Sequence, residues 1–475
     1  MTQFEPIIGL EVHAQLSTRT KLFCSCSTQF GAEPNFNTCP VCLAQPGALP
    51  VLNKKAVEYA ILAGLALGCK IAPTSVFARK NYFYPDLPKG YQISQYELPI
   101  CLGGGVDIEV EGQKKRITLT RIHMEEDAGK SLHEMGSDEY SHVDLNRACT
   151  PLIEIVSEPE IRNAKEASTY LKRLRDILVY LGVCDGNMEE GSLRCDANVS
   201  IRPVGETKFG TRVELKNINS FRFVEKAIEY EIARQEAVLL DGGQVVQETR
   251  LYDNAKNTTE SMRSKEEAHD YRYFPDPDLL PLEVSEELVE SIRKQMPELG
   301  HQKAERFVQE FQIPEYDSQV LTAEKRVADY FEQVAQLSKD PKRASNLIMT
   351  ELLALEAKGE KPFENIAAPE LAKAIAMTNE GKISSKMLKE VIATMHQKKQ
   401  GAEEVVSQMG SQLSDTGAIE ALIDQVLTAN PQNVAEYKSG KEKLFGFFVG
   451  QVMKESKGKA NPQLLNDLLK KKLGN

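Results

Sequence analysis

The stretch that decides the fold is Ile7-Ile-Gly-Leu-Glu-Val-His-Ala-Gln-Leu16, near the start of the chain. Its even-numbered residues are apolar, and Glu11, His13 and Gln15 lie between them. Because side chains alternate between the two faces of a β-strand, this pattern predicts a half-buried strand. One face would pack on a core and the other would present possible ligands. For one strand alone, an ordinary solvated face is an equally good interpretation.

The same alternation recurs further along the chain. In Leu193-Arg-Cys-Asp-Ala-Asn-Val-Ser-Ile-Arg202 every odd-numbered residue is apolar and every even-numbered residue is polar. Arg121-Ile-His-Met-Glu-Glu-Asp127 and Thr150-Pro-Leu-Ile-Glu-Ile-Val156 add carboxylates on strand-like segments. Several strands that present Glu, Asp and His towards one side would form a site for a hard cation, because such ions prefer oxygen ligands. This recurrence favours an enzyme.

Length and composition indicate a globular protein of several domains. A chain of 475 residues is expected to form about three domains. Its longest apolar runs, such as residues 59–67, are well short of the ~20 residues that cross a bilayer. The first residues lack the basic and apolar pattern of a secretory signal. We therefore expect a cytoplasmic protein with no membrane partner, in which the nine cysteines are reduced.

The predicted secondary structure changes near residue 285. Up to that point, short β patterns and turn residues mix with helical patterns, and amphipathic helices then follow one another to the end. The predicted fold class is α+β. We expect a curved cradle domain with an antiparallel or mixed β-sheet over residues 1–285. A helical domain over 286–405 and a small helical tail domain over 406–475 would follow.

The charge distribution leaves the role of the tail open. The net charge of −11 argues against a protein covered in nucleic-acid-binding surface. Residues 438–475 nevertheless carry nine lysines against three acidic residues, an excess of six positive charges. This segment is either a basic patch for nucleic acid or a helical terminus with solvated lysines, and charge alone does not distinguish the two.

Four of the cysteines have the spacing of a metal site. Cys24-Ser-Cys26 is followed, after twelve residues, by Cys39-Pro-Val-Cys42. Four thiolates in two close pairs suit tetrahedral zinc, and a closed set of four ligands is structural rather than catalytic. The first pair has one intervening residue instead of the usual two to four, so the match to a zinc site is imperfect. A redox dithiol is the alternative. The other cysteines fit no such spacing and are expected to be buried core thiols.

No complete nucleotide-binding motif is present in the sequence. Gly129-Lys130-Ser131 ends like a P-loop, but Met124 stands where the first glycine would be required. A nucleotide would then be held through metal-bridged phosphates and basic side chains. The segment 79–95 can supply Arg79, Lys80 and Lys89 among four aromatic residues. The alternative interpretation of this segment is a packed surface loop that binds no nucleotide. The candidate ligands for Mg²⁺ in such a phosphoryl-transfer site are Glu11, Glu125, Glu126, Glu154 and Asp196.

Several long motifs carry a resemblance to a known family. The chain closely resembles the B subunit of the bacterial tRNA-dependent amidotransferases. The resemblance extends into the tail, so it covers the whole chain. The matching segments are 8–13, 79–95, His123-Met-Glu-Glu-Asp-Ala-Gly-Lys130, Glu190-Gly-Ser-Leu-Arg-Cys-Asp-Ala-Asn198, Asp270-Tyr-Arg-Tyr-Phe-Pro275, Gly446-Phe-Phe-Val-Gly-Gln-Val-Met453 and Lys457-Gly-Lys-Ala-Asn-Pro462.

The resemblance implies a reaction. Members of the family use ATP to phosphorylate the side-chain carboxylate of Glu-tRNA(Gln) or Asp-tRNA(Asn), and ammonia then displaces the phosphate. It also implies Lys80 and Lys89 as catalytic residues that contact phosphate, and zinc as a structural ion. By the same resemblance, the residues carried over as catalytic residues or Mg²⁺ ligands are Glu11, His13, Glu125, Glu126, Glu154 and Asp196.

The resemblance also implies partners. These are misacylated tRNA and two further chains of a heterotrimer, an amidase A subunit that releases ammonia from glutamine and a small C subunit. An alternative is a zinc-containing tRNA-binding scaffold without catalysis of its own, although acidic strand faces suit an RNA-contacting surface poorly. A free-standing ligase for a small acid is a third reading. The basic tail and the lack of a glutaminase or nucleotide-binding motif argue against it.

Overall fold

The structure is a computed structural model that describes residues 3–474 except 133–139, 141, 265–267, 410–415, 457–459 and 461. The segment 457–462, which contributes to the family resemblance, therefore lies mostly outside the described residues. The chain forms two compact units, residues 1–299 and residues 300–475.

The first unit is built around a mixed sheet of ten strands in the order β15-β14-β13-β12-β1-β11-β8-β6-β2, with β7 paired to β8. Strands β13 and β14 are parallel, and the other pairs in this sheet are antiparallel. Smaller sheets are formed by β9 with β10, by β16-β4-β5, and by β17 with β3. The strands are β1 (Phe4–Gln15), β2 (Lys70–Ile71), β3 (Thr74–Ser75), β4 (Phe77–Asn81), β5 (Tyr91–Gln95), β6 (Cys101–Leu102), β7 (Gly105–Val110), β8 (Gln113–Glu126), β9 (Lys130–Leu132), β10 (His142–Asp144), β11 (Pro151–Ser157), β12 (Leu193–Pro203), β13 (Val213–Lys216), β14 (Glu248–Asp253), β15 (Thr258–Ser264), β16 (Phe274–Pro275) and β17 (Leu282–Glu283).

The two strands predicted from their alternation are adjacent at the centre of this sheet. The even-numbered apolar residues of β1 and the odd-numbered apolar residues of β12 are buried, as the sequence predicts. They form one hydrophobic core with the inner faces of the helices of this unit. The polar residues at the alternate positions of both strands lie on the opposite face of the sheet. The helices are α1 (Lys54–Ala66), α2 (Ala164–Tyr180), α3 (Phe221–Leu240) and α4 (Glu286–Gln295), and a 3₁₀ turn covers Ala268–Tyr271.

Local sequence signals set the limits of α2. The side chain of Asn163 accepts a hydrogen bond from the backbone N–H of Glu166, which satisfies one of the free donors of the first turn. Tyr170, Leu171 and Leu174 follow at helical spacing and are fully buried. Gly182 adopts a φ of 68°, a left-handed conformation that glycine takes without steric cost and that ends the helix.

The second unit is helical throughout its described residues, and it contains two hydrophobic cores. The helices from α5 to α13 enclose one core, and those from α14 to α17 enclose the other. A π-helical segment, Ile348–Leu352, joins α8 to α9. The helices are α5 (Gly300–Phe311), α6 (Glu315–Leu321), α7 (Lys325–Ser338), α8 (Pro341–Leu347), α9 (Leu353–Glu356), α10 (Pro362–Asn365), α11 (Ala368–Asn379), α12 (Ser385–Lys398), α13 (Ala402–Met409), α14 (Thr416–Ala429), α15 (Pro431–Lys438), α16 (Leu444–Glu455) and α17 (Pro462–Leu473).

The predicted α+β class is confirmed, with a mixed sheet followed by a helical C-terminal part. The predicted domain limits after residues 285 and 405 stay predictions. Packing places α4 with the core of the first unit through Ile292, and it places α13 with the preceding helices through Val405 and Val406. Among the described residues, no helix is long and apolar enough to span a membrane.

Candidate active site

Four neighbouring strands bring charged side chains into one row on the polar face of the sheet. His13 on β1 lies directly opposite Glu154 on β11 and Arg194 on β12. Glu154 in turn lies opposite His123 on β8. Direct partners across antiparallel strands point to the same face, with Cβ atoms about 5 Å apart. Strand register alone therefore produces the row Arg194–His13–Glu154–His123.

Two histidines and two glutamates form a compact cluster in and beside this row. Oε2 of Glu154 lies 3.4 Å from Nε2 of His13 and 3.2 Å from Nε2 of His123. Glu125 follows His123 on the same face of β8, and its carboxylate oxygens lie 3.7 Å from Nε2 of His13 and 3.8 Å from Nε2 of His123. One ligand atom each from His13, Glu125 and Glu154 lies within 4.8 Å of the other two, so the three side chains can hold a metal ion.

The electrostatics of the cluster favour ionised carboxylates. Burial alone would lower the pKa of both histidines, but the charges of Glu154 and Glu125 outweigh it. The pKa of His123 rises to about 9, and the pKa of His13 is also raised. Burial would raise the pKa of Glu154, yet His123 and His13 hold that pKa well below its ordinary value.

This donor set fits a divalent cation. Two ionised carboxylates supply the oxygen ligands that Mg²⁺ prefers. In its deprotonated form, the imidazole of His13 would add a nitrogen donor, which Mn²⁺ and similar ions also accept. All three side chains belong to strands of one sheet, so the strand register places them on one face.

Glu126 and Lys89, which the sequence assigned to the same site, form a separate pair. Successive side chains of a strand point to opposite faces, so Glu126 does not join His123 and Glu125. Its carboxylate is paired with Nζ of Lys89 and accepts a hydrogen bond from the backbone N–H of Ile93 at 2.9 Å. Both side chains of this ion pair are almost completely buried.

Glu11 and Asp196 are brought together beside the cluster rather than within it. They are direct partners across β1 and β12, and they form the next pair on the same face after His13 and Arg194. Oε1 of Glu11 accepts a hydrogen bond from Nδ2 of Asn198 at 2.8 Å. Oδ2 of Asp196 lies 2.6 Å from Nζ of Lys216, so a protein cation already balances its charge.

Arg79 and Lys80 have different surroundings. Nε of Arg79 lies 3.0 Å from Oδ2 of Asp276, and its Nη2 lies 2.9 Å from Oδ2 of Asp278. Lys80 points to the other side of β4, where its Nζ lies 4.7 Å from the centre of the Tyr271 ring. Arg79 is thus held by two carboxylates of a distant loop, whereas Lys80 lies beside an aromatic ring.

Three residues of the site are missing from the sequence-based assignment. His123 is one. The others are Asp127 and Arg194, whose side chains form an ion pair of 3.0 Å. Oδ2 of Asp127 also accepts a hydrogen bond from Nε2 of Gln15 at 2.6 Å. A sequence signal exists for two of them, since His123 shares the parity of Glu125 and Arg194 shares that of Asp196.

The four paired cysteines converge at a second site. The sulfur of Cys42 lies 3.4 Å from that of Cys24 and 3.7 Å from those of Cys26 and Cys39. A tetrahedral zinc with Zn–S bonds of about 2.3 Å requires sulfur atoms ~3.8 Å apart, so the geometry fits zinc. Cys69, Cys101, Cys149, Cys184 and Cys195 are buried free thiols, as the sequence predicts.

A buried lysine accompanies the cysteine cluster. Lys21 is fully buried, and its Nζ lies 3.4 Å from the sulfur of Cys42. The same ammonium donates to the backbone carbonyls of Asn37 at 2.7 Å and Leu145 at 3.2 Å. Four thiolates around Zn²⁺ would carry two excess negative charges, and Lys21 offsets part of them.

Comparison with known proteins places the chain in a family. Residues 6–290 match the family model of the GatB/GatE catalytic domain, and residues 329–473 match that of the GatB domain. The chain belongs to the GatB/GatE family. The first of these models spans the candidate active site and the cysteine cluster. The second lies entirely within the helical unit.

The relatives of this GatB/GatE member include full-length proteins named as the B subunit of aspartyl/glutamyl-tRNA(Asn/Gln) amidotransferase. The protein of Syntrophotalea carbinolica is 60% identical over 99% of both chains. That of Trichlorobacter lovleyi is also 60% identical over 99% of both chains. That of Geotalea uraniireducens is 59% identical over 99% of both chains. The predicted resemblance to this family is confirmed.

Proposed function

We propose that this chain is the subunit of a glutamine-dependent tRNA amidotransferase that activates the amino acid of a misacylated tRNA. The substrate is Glu-tRNA(Gln) or Asp-tRNA(Asn), and the product is Gln-tRNA(Gln) or Asn-tRNA(Asn). The enzyme is then a carbon–nitrogen ligase with glutamine as the amide-nitrogen donor. The names of the relatives support the reaction class. The observation that carries the role of this chain is the convergence of His13, Glu125 and Glu154 from three strands.

The reaction needs ATP because a free carboxylate is a poor acyl donor. A carboxylate oxygen of the tRNA-bound residue attacks the γ-phosphorus of ATP, and an O–P bond forms as the bond to ADP breaks. Ammonia then attacks the carbonyl carbon of the acyl phosphate. Phosphate leaves with the electron pair of the C–O bond, and one proton is lost as the amide forms. Such transfers depend on positioning and on charge stabilisation of the phosphoryl oxygens.

The residues of the site have distinct roles in this proposal. Mg²⁺ held by Glu125, Glu154 and His13 would supply positive charge to the phosphoryl oxygens. Lys80 contacts an anionic oxygen from the opposite side. Lys89 is the second candidate for such a contact, although its ammonium is already paired with Glu126. The pairs that Glu11 and Asp196 form with Asn198 and Lys216 make them neighbours of the cation rather than its ligands.

Two further chains and tRNA complete the proposed assembly. Ammonia comes from an amidase A subunit, while a small C subunit makes the complex a heterotrimer, as the family resemblance implies. The lysine excess of residues 438–475 supports the tail as the part that binds the tRNA backbone. The cysteine site holds zinc in a structural role, because its four sulfur ligands leave no open position for a substrate.

The test is ATP-dependent amide formation by the purified chain with its partner subunits, misacylated tRNA and glutamine. We expect ADP and amide to form in equal amounts. Glu125→Gln keeps the shape and removes the charge, so it should abolish ATP cleavage while tRNA still binds. If tRNA bound and no ATP were cleaved in the wild type, the chain would be a scaffold. Wild-type rates in Glu125→Gln and in Glu154→Gln would contradict the assignment of the site.

A further inference from the structure

Lys80, Lys89 and Lys216 lie near the candidate active site, and they differ in what holds them. Lys89 is paired with Glu126, and Lys216 is paired with Asp196. Lys80, in the described part of the chain, has no carboxylate within ion-pair distance. Its ammonium instead lies 4.7 Å from the ring centre of Tyr271 and 5.8 Å from that of Tyr82.

The tyrosines around Lys80 form a connected group, which we call the tyrosine cage and define as Tyr82, Tyr271 and Tyr273. The ring centres of Tyr82 and Tyr271 are 6.0 Å apart at 75°, and those of Tyr271 and Tyr273 are 6.2 Å apart at 73°. Both pairs are edge-to-face, a favourable arrangement for aromatic rings. Tyr96 stacks on Tyr273 from outside at 4.3 Å. The rings therefore support one another.

The turn that carries Tyr271 and Tyr273 is fastened to β4 on both sides of Lys80. Nδ2 of Asn81 donates to the carbonyl of Tyr271 at 3.1 Å and to that of Arg272 at 2.8 Å. These bonds hold Arg272 at a φ of 46°, a left-handed conformation that is costly for a residue with a side chain. Further along, Arg79 binds Asp276, whose side chain is fully buried.

The register of the small sheet orients Lys80 towards the candidate active site. Lys80 is the direct partner of Gln92 across β4 and β5, and Ser94 follows Gln92 on the same face. Oγ of Ser94 donates to Oε2 of Glu125 at 3.2 Å. Nε2 of Gln92 donates to the backbone carbonyl of Glu126 at 2.8 Å. The face of β4 and β5 that carries Lys80 therefore lies against the end of β8 that carries Glu125.

The nature of the cage has a chemical consequence. A carboxylate partner would neutralise Lys80 and compete with an incoming anion. An aromatic face attracts a cation through its quadrupole and carries no net charge. The three N–H donors of the ammonium thus stay available to an anionic oxygen.

We propose that the tyrosine cage, fastened by Asn81 and Arg79, positions Lys80 without neutralising it, so that Lys80 can contact an oxygen of the phosphoryl group in transfer. Asn81, Arg79 and the cage tyrosines are positioning residues. This inference rests on the proposed function, because it takes the reaction at the His13–Glu125–Glu154 cluster as given. It also gives Arg79 a role in holding the turn rather than in binding a nucleotide.

The first test separates the ring face from the hydroxyl. Tyr271→Phe keeps the aromatic face and should retain the wild-type kcat for ATP-dependent amide formation in the complete complex. Tyr271→Leu should lower kcat on the order of tenfold with an unchanged KM for tRNA. Tyr59→Leu is the matched control, since it removes a cation–π contact of 4.6 Å with Lys55 on helix α1. Urea unfolding of each variant should show that the fold is retained.

Chemical rescue gives a readout that a structural role would not move. Lys80→Ala should be nearly inactive, and added ethylammonium, a small primary cation, should restore part of its activity. Rescue should persist in Lys80→Ala/Tyr271→Phe and disappear in Lys80→Ala/Tyr271→Leu. Equal rescue of both double variants, or full activity of Tyr271→Leu, would contradict the proposed role of the tyrosine cage in positioning Lys80. Full activity of Lys80→Ala would overturn the role of Lys80 in the proposed function itself, so the two failures are distinguishable.

Discussion

His13 and Glu154 are direct partners across strands β1 and β11, and Nε2 of His13 lies 3.4 Å from Oε2 of Glu154. The same carboxylate lies 3.2 Å from Nε2 of His123 on β8, so it sits between two imidazoles. Three strands hold this contact through their register. A slip of one residue in any of them would turn a candidate ligand to the apolar face. The site therefore depends on the correct register of all three strands.

Glu154→Gln should remove most of the cation affinity of this site. The amide retains the shape and one oxygen but loses the charge that attracts the ion. We expect Mn²⁺ affinity, measured by titration calorimetry, to fall by on the order of several kcal/mol with an unchanged fold. Glu109→Gln, an exposed carboxylate on β7, should leave the affinity unchanged. Equal Mn²⁺ affinity in Glu154→Gln and wild type would rule out Glu154 as a ligand.

The cysteine cluster should bind one zinc ion per chain. Cys39→Ser should lower both the zinc content and the thermal stability, because three thiolates close the tetrahedral site poorly. Cys69→Ser should keep the zinc, since Cys69 lies outside the cluster and donates to the carbonyl of Gly103 at 2.9 Å. Metal analysis by mass spectrometry measures this directly. One equivalent of zinc in a variant with all four cysteines replaced would exclude the site.

Lys21→Met should destabilise the zinc-loaded protein. The substitution keeps the apolar stem but leaves two partly buried carbonyls and the buried sulfur of Cys42 without their donor. Losing a charged donor from such partly buried acceptors costs about 1–2 kcal/mol. Urea unfolding should show a loss of this size, whereas Lys54→Met at the exposed start of α1 should show none. Equal stability of Lys21→Met and wild type would mean that water replaces the ammonium.

Strand alternation made half of the candidate site predictable from the sequence. The parity of β1 separates Glu11 and His13 from the apolar residues around them, and the structure has that separation. The same rule, applied to β8, would have joined His123 to Glu125 and set Glu126 apart. The alternation is hard to recognise there because the consecutive acidic residues 125–127 hide it. Which face of a strand a polar residue occupies is therefore a better guide to the site than the number of carboxylates on that strand.

The ion pair of Arg79 with Asp276 could not be predicted in this way. An arginine beside lysines and aromatic residues is typical of a phosphate site, and nothing near it in the sequence indicates a different partner. Its carboxylate partner Asp276 is 197 residues away along the chain. Only the pairing of β16 with β4 brings the two together. Contacts between distant loops depend on the assembled fold, and periodicity does not report them.

Two buried tyrosines should respond in opposite ways to the loss of a hydroxyl. The hydroxyl of Tyr170 is buried without a hydrogen-bond partner among the described residues. That of Tyr252 lies 2.9 Å from Oδ1 of Asn257. Tyr170→Phe should leave the free energy of unfolding unchanged or raise it by about 1 kcal/mol, and Tyr252→Phe should lower it by about 1 kcal/mol. Denaturant unfolding of the two variants, side by side, would test this, and a large loss in Tyr170→Phe would reveal a hidden partner.

The tail can be removed at a place that the structure defines. Val405 and Val406 belong to the core of the preceding helices, whereas Ile419, Phe448 and Leu469 belong to the last core. A chain that ends after Met409 should therefore keep the preceding core intact, which a cut at residue 405 would not. We expect the shortened chain to bind misacylated tRNA more weakly and with a smaller dependence on salt, because it would neutralise fewer phosphates and release fewer counterions.

Point variants should separate the charge of the tail from its fold. Lys470 and Lys471 are exposed in the last turn of α17. Replacing both with Gln should lower the slope of log affinity against log salt by ~0.7–0.9 for each phosphate that is no longer bound. Lys361→Gln, an exposed lysine outside the tail, should leave the slope unchanged. Filter binding at several salt concentrations measures the slope. An unchanged slope in the double variant and in the shortened chain would mean that the tail does not bind the tRNA backbone, whatever its excess of lysine.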